Sequence, residues 1–412
     1  MNEQLLDRYI DVLLDACLNF QKGQNLQIQG EPIHWPVYNR VAEAAYRRGA
    51  RYVEVQAPHP GLLKARVDHS ETEYLDYLPG YLVNRVDELT GGAWPRLSFV
   101  GSEDPDFFST VDAQRNAQVQ KTTRIVHKPL MQACSANKIP WVVAALPTPK
   151  WAARVLGCEP SEQAMMDLWD IMIPILRLDQ PDPIAAWKAN TKALERRSAA
   201  LNGHGFEAIH FEGPGTDLTL GLISGGQWAG GGGKLPDGRH FIANIPTEEN
   251  FTAPHWRRTN GRVRVTRPVE VLNKSVEGAW FVFKDGRVVE FGADKGREQI
   301  EQYFSLDEQA RYLGELALVD SSSPVFQSGR IFHTILYDEN AACHIALGSA
   351  YPSVLKNPDG MTAEQLSEAG VNQSLLHTDF MIGAPEVDVT GITPAGSRVP
   401  IQRRGTFVGE FV

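Results

Sequence analysis

Along the first half of the chain the apolar positions switch between two periods. "NLQIQG" and "RYVEVQA" alternate as half-buried strands do, and between them "PVYNRVAEAAYRRG" places apolar residues at helical spacing and stops at Gly49. "RLSFVG" and "WVVAALP" read as further strands, separated by the long helical stretch "DAQRNAQVQKTTRIVHKPLMQAC". Strand and helix in that rhythm predict an α/β unit of βαβ type with a mainly parallel sheet. Helical runs near "SEQAMMDLWDIMIPIL" and "IAAWKANTKALERRSAALN" close this half, and "GHG" at 203–205 divides an N-terminal domain, 1–203, from a C-terminal one, 204–412.

The second half has a different pattern. "FEAIHFEG" and "TDLTLGLI" are strands close together, and "AWFVFKDGRVVEFG" is a hairpin about an Asp285-Gly286 turn. Helices follow at "DKGREQIEQYF" and "DEQARYLG". This predicts a mixed α+β domain rich in antiparallel pairing. "GGQWAGGGGKLPDG", 225–238, has the glycines of a phosphate cradle, but its lysine precedes Leu235 and Pro236 and no helix opens there. It reads as a mobile surface loop.

Composition narrows the class. A length of 412 residues points to two domains, and 42% hydrophobic with 22% charged residues is globular. A net charge of −10 argues against an electrostatic nucleic-acid binder. The first twenty residues carry acids where a targeting sequence carries basic residues, and their apolar set (Leu6, Ile10, Leu13, Leu14, Cys17) fits an amphipathic helix. Apolar runs are strand-sized, so no membrane span is expected. The cysteines, Cys17, Cys134, Cys158 and Cys343, have no paired spacing, as suits free thiols in a reducing cytoplasm.

Candidate chemistry lies in the second half. In "SLLHTDFMIG", 374–383, a strand would turn His377 and Asp379 to one face. "NIPTEENFTAP" sets Glu248 and Glu249 after a proline turn, and "YLGELALV" sets Glu315 where a helix ends and an apolar strand begins. "LYDENAACHIALGSAYP" offers Asp338 or Asn340 as a helix cap, His344 inside a short apolar helix ended by Gly348, and then Tyr351. Each has an ordinary structural reading when taken singly: a hydrogen-bonded pair, a solvated turn, a strand-edge carboxylate, a core histidine, a packing aromatic. Together, carboxylates and imidazoles in apolar settings point to a bound cation, because buried charges are kept only when paired or coordinated. The mixed donor set suits zinc, cobalt, manganese or iron.

These four motifs, in this order and spacing, resemble the M29 family of metalloaminopeptidases, the aminopeptidase T and aminopeptidase S group. The resemblance implies two divalent ions per chain, zinc or cobalt with manganese or magnesium as alternatives. It assigns Glu249, Glu315, His344, His377 and Asp379 as ligands, with Glu315 bridging. Tyr351 matches the tyrosine beside the metals, and Glu248 or Glu315 would carry the proton. It also implies peptide substrates with a free N-terminus and a homodimer. One position departs from the pattern: Asn250 stands where the family carries an aliphatic residue, next to the pocket. Two rival readings remain. His344, His377 and Asp379 alone would suit a mononuclear Fe(II) ring-opening dioxygenase, which has no use for both Glu249 and Glu315. The third reading is a metal-stabilised binding protein without turnover.

Overall fold

The computed structural model describes residues 3–412 apart from 109, 273, 357 and 359. It divides into two compact units, one of residues up to Lys188 with Gly232–Ile245, the other of Ala189–Gly231 with Pro246–Val412.

The first unit is the expected α/β layer. Four parallel strands lie in the order Tyr52–Gln56, Asn25–Gln29, Arg96–Val100, Trp141–Ala145. Helices cover parallel sheets on both faces, so even polar strand positions are sealed and need partners. Gln27, on the strand face opposite Leu26 and Ile28, is buried and accepts a hydrogen bond from Arg96 Nε at 2.7 Å. The helix Trp35–Arg47 buries Tyr38, Val41, Ala44 and Ala45, the stripe its periodicity predicted. The chain begins in a helix, Glu3–Asp11, that continues as a wider π-helical turn, Val12–Cys17. Among the described residues no helix is long and apolar enough to cross a membrane.

The second unit is built on two antiparallel sheets. One has eight strands and contains the hairpin Trp280–Lys284/Arg287–Gly292, whose Asp285 and Gly286 both take positive φ. The other has five, in the order His377–Met381, His344–Gly348, Leu313–Leu318, Asn250–Thr252, Ala229–Gly230. Leu316, Leu318, Ile345, Leu347 and Phe380 of the five-stranded sheet enter a core shared with Phe211 and Phe281 of the eight-stranded one. Phe281 and Phe380 meet edge to face at 5.0 Å. Because side chains alternate along a strand, the residues between those apolar ones face away from this core.

Three local expectations are corrected. His344 does not lie in a helix: His344–Gly348 is a fully buried strand paired on both sides. A five-residue apolar run carries no period that separates the two forms, and the sheet neighbours decided it. "DEQARYLG" forms only a short 3-10 turn, Glu308–Arg311, before the chain extends. The glycine-rich stretch is not merely a surface loop, since Ala229–Gly230 forms the edge strand beside Asn250–Phe251. Gly230 is needed there, because a Cβ would stand 2.6 Å from the Glu249 carbonyl oxygen.

Candidate metal centre

Register brings the polar positions of the five-stranded sheet together. Glu315 lies opposite Ala346, and Ala346 lies opposite Asp379, so two carboxylates flank one methyl group across three strands. Two residues along the central strand to one side of Ala346, His344 faces Ala317, and two residues to the other side Gly348 faces His377. Alanine at both cross-strand positions leaves the space above the sheet to the long side chains. A bulge between Leu313 and Glu315 resets the strand so that Glu315 points out while Leu316 points into the core. Glu249 reaches the same face from the turn preceding Asn250–Thr252.

The side chains converge closely. His344 Nε2 stands 3.2 Å from Glu249 Oε2 and 3.9 Å from Glu315 Oε1. His377 Nε2 stands 3.5 Å from Glu315 Oε2 and 3.4 Å from Asp379 Oδ1. Each imidazole sets its other nitrogen on a carbonyl: His344 Nδ1 lies 3.3 Å from Ala342 O, and His377 Nδ1 lies 2.7 Å from Ser349 O. Carbonyls only accept, so the Nδ1 proton is fixed and Nε2 is turned inward, the arrangement that orients a ligating histidine. Glu249, Glu315 and His344 form one group whose ligand atoms lie within 4.8 Å of one another, and Glu315, His377 and Asp379 form a second. Glu315 belongs to both.

The buried charges of the cluster shift one another's ionisation. Burial opposes a charged His344, but the hydrogen bond and charge of Glu249, with Asp379 and Glu315, raise it to about 10. His377 is raised to about 9 against its burial, mainly by Asp379. Burial first, then Glu249 and Asp379, push Glu315 up to about 8. Burial works against the Asp379 carboxylate too, yet His377 holds it below its ordinary value. Such a set of inward oxygens and imidazole nitrogens fits divalent transition metals.

Tyr351 borders this cluster, its ring 5.2 Å from that of His377 and 6.3 Å from Phe251, edge-on to the latter. Although the residue is 48% exposed, local burial and then Glu315, Asp379, Glu339 and Glu249 raise its hydroxyl well above the ordinary value, so it stays a donor. Glu248 is in neither ligand group. Its backbone N–H donates to Asn340 Oδ1 at 2.7 Å, and its charge acts on the Arg197 guanidinium. Asn250 does not alter the pocket. It is fully buried on the opposite side, its amide donating to Leu194 O and Ser198 Oγ, both at 2.7 Å, while Arg197 donates to its oxygen.

Sequence reasoning missed one carboxylate. In "LYDENAAC" the flanking Asp338 and Asn340 drew attention as caps. In fact Asp338 accepts hydrogen bonds from the Phe332 and Thr334 N–H groups, and Asn340 ties Glu248 to Leu336. Glu339, between them, is raised well above the ordinary carboxylate range, by burial first and then by Glu249 and Asp379, with Glu315 adding to the effect. The available signal was three consecutive polar residues inside an otherwise apolar stretch.

The chain matches the family model of the thermophilic metalloproteases (M29) over residues 2–407. It belongs to the M29 family. Among curated relatives of this M29 chain, aminopeptidase T of Thermus thermophilus is 38% identical over 405 residues, covering 98% of both chains. Aminopeptidase 2 of Geobacillus stearothermophilus is 37% identical over 409 residues, 99% of both. The solved structure of wild-type AmpT from Thermus thermophilus superposes with a TM-score of 0.91 at 36% identity, covering 99% of this chain and 100% of that one. This M29 protein is accordingly a peptidase, a metal-dependent hydrolase.

Proposed function

We propose that the protein is an aminopeptidase that works with two divalent cations, zinc or cobalt, and removes residues from peptides with a free N-terminus. The observation that carries this reading is the pair of ligand groups sharing Glu315. A mononuclear site would need only one of them. Glu249, Glu315 and His344 would hold one ion, and Glu315, His377 and Asp379 the other. When bound, the ions supply Lewis acidity toward the scissile carbonyl and make water acidic enough to attack near neutral pH.

The remaining work falls to the side chains. Carbonyl contacts at Nδ1 lock both histidines, so that Nε2 is presented without rearrangement. Glu315 is committed to both ions, so the proton of the attacking water would pass to the leaving amine through a carboxylate in neither ligand group, for which Glu248 is the candidate. Tyr351, protonated and beside His377, donates its hydroxyl to the carbonyl oxygen as charge develops there. Metal analysis of purified protein, together with a panel of aminoacyl amides and their N-acetylated forms, tests the whole reading. Two ions per chain and cleavage restricted to free amines are expected. A single iron with oxygen-dependent ring cleavage, or equal cleavage of acetylated substrates, would overturn it.

A further inference from the structure

Four residues of the two ligand groups, Glu315, His344, His377 and Asp379, lie within paired strands, and ladder hydrogen bonds set their positions. Glu249 does not: it sits in the turn before Asn250–Thr252. A group on a turn needs other restraints, since a misplacement of about 1 Å is costly at a reacting centre. Here side chains hold the turn from two directions. From the segment before the His344 strand, Asn340 Oδ1 accepts the Glu248 N–H at 2.7 Å. From the helix Pro183–His204, Asn190 Nδ2 donates to Thr247 O at 2.9 Å. One helical turn further on, the same helix receives the Asn250 amide. Leu194 O and Ser198 Oγ accept from its Nδ2, each at 2.7 Å, and Arg197 Nη1 donates to its Oδ1 at 3.2 Å. Arg197 is held in turn, donating from Nε to Phe411 O at 2.7 Å with its guanidinium 3.9 Å over the Phe407 ring.

Asn250 stands where the family pattern has an aliphatic residue, and an aliphatic side chain would also fill this space. A fully buried amide is tolerated only when it is bonded, and here both its nitrogen and its oxygen are. The edge strand makes room for it, because a Cβ on Gly230 would stand 2.7 Å from Asn250 Nδ2. Apolar contact is non-directional, whereas hydrogen bonds are satisfied in one geometry only. The amide therefore fixes where its strand begins, and the residue directly before it is Glu249. Of the two ligand groups, only Glu249, Glu315 and His344 depend on that turn; Glu315, His377 and Asp379 stand on strands throughout.

We propose that Asn250 is a positioning residue: with Arg197 and Ser198 it locks the turn that carries Glu249, and so presets one of the two ion sites while leaving the other unaffected. This rests on the two-ion reading above and gives the departure at position 250 a task in the centre. Partners that orient a metal ligand are worth about 10–100-fold in affinity, and Asn250, acting through the backbone, belongs at the lower end.

The test is calorimetric titration of metal-free protein with zinc, with melting temperatures measured in parallel to show that each variant is folded. Two backgrounds separate the ions. His377→Ala leaves one complete group, Glu249, Glu315 and His344, and adding Asn250→Val there should weaken zinc binding about 10-fold. His344→Ala leaves the other complete group, Glu315, His377 and Asp379, and there Asn250→Val should change nothing. Ser198→Ala removes one bond to the amide and little volume. It should give a smaller loss in the first background only, and it carries the test if Asn250→Val does not fold. Equal weakening in both backgrounds would make Asn250 a structural residue, and unchanged affinity in the first would remove it from the centre; either result overturns the proposal. Uptake of fewer than two ions by the wild type would instead sink the two-ion reading, and this inference with it. Two ions in the wild type, with no difference between the backgrounds, sinks the inference alone.

Discussion

Gly348→Ala makes a sharp test of whether strand register builds the centre. Gly348 is the cross-strand partner of His377 and takes φ +114°, where an L side chain is strained by about 1–2 kcal/mol. A Cβ there would stand 2.1 Å from Leu376 O and 3.2 Å from His377 Cα, against an ordinary C···O contact of about 3.3 Å. The backbone must therefore open by roughly 1 Å at the His377 strand. It is poorly able to do so: Gly348 N–H donates to Tyr312 O at 2.8 Å, and Asn372 donates to Gly348 O at 2.6 Å. Overpacking of this kind adds about 1–3 kcal/mol, for a total of about 2–5 kcal/mol. A ligand displaced by about 1 Å costs on the order of 10²-fold in activity. Gly396→Ala is the control, since Gly396 has φ +81° but nothing within 4 Å of a Cβ, so it incurs backbone strain only. Calorimetric melting, metal titration and turnover should separate the two variants. If Gly348→Ala matched Gly396→Ala in metal affinity and turnover, the cross-strand argument would be refuted.

Two more outcomes are expected. Tyr351→Phe should fold, retain metal and lose about 10²–10³ in turnover, the usual loss for one oxyanion donor, and unchanged turnover would reduce Tyr351 to packing. Stability of the metal-free protein should fall as pH rises from about 7 toward 10. His344 and His377, raised above 6.5 to about 10 and about 9, stabilise the fold fully below pH 6.5 and lose that contribution as pH passes their folded values. Glu315, raised from 4.5 to about 8, acts in the same direction, because the unfolded chain gives up its proton first. Melting temperatures across that range should therefore decline without metal, and metal uptake at pH 7 should release protons. A flat profile and proton-neutral uptake would contradict the cluster.

Much of this was legible in the sequence, and the misses have physical reasons. The alternation of "SLLHTDFMIG" placed His377 and Asp379 on one face, as the strand His377–Met381 does. The βαβ rhythm gave the parallel sheet. His344 was misplaced in a helix because a short run buried on both faces has no polar side to set a period. The convergence of Glu249 with Asp379 could not come from spacing, since pairing across strands made it. Asn250 looked like a pocket change and is instead a fully bonded tie to Leu194 and Ser198. Glu339 escaped because its neighbours are better caps than it is.

The division of the chain has a consequence for modularity. Residues 232–245 belong to the first unit, where Val143 N–H donates to Ala243 O at 2.8 Å and Ile245 N–H donates to Val143 O at 3.0 Å. The helix Pro183–His204 crosses the division at Lys188, and Pro246 begins the turn that delivers Glu249. A gene cut at residue 203 would thus carry away the segment that bridges to Val143 and leave on the first half nearly all of a helix, Pro183–His204, most of which belongs to the second unit. Neither half could be moved by simple end-to-end fusion, and on the ribosome the first unit cannot add the segment that bridges to Val143 until part of the second has been made. The two units are interleaved in translation order, so the chain is inherited and folded as one piece.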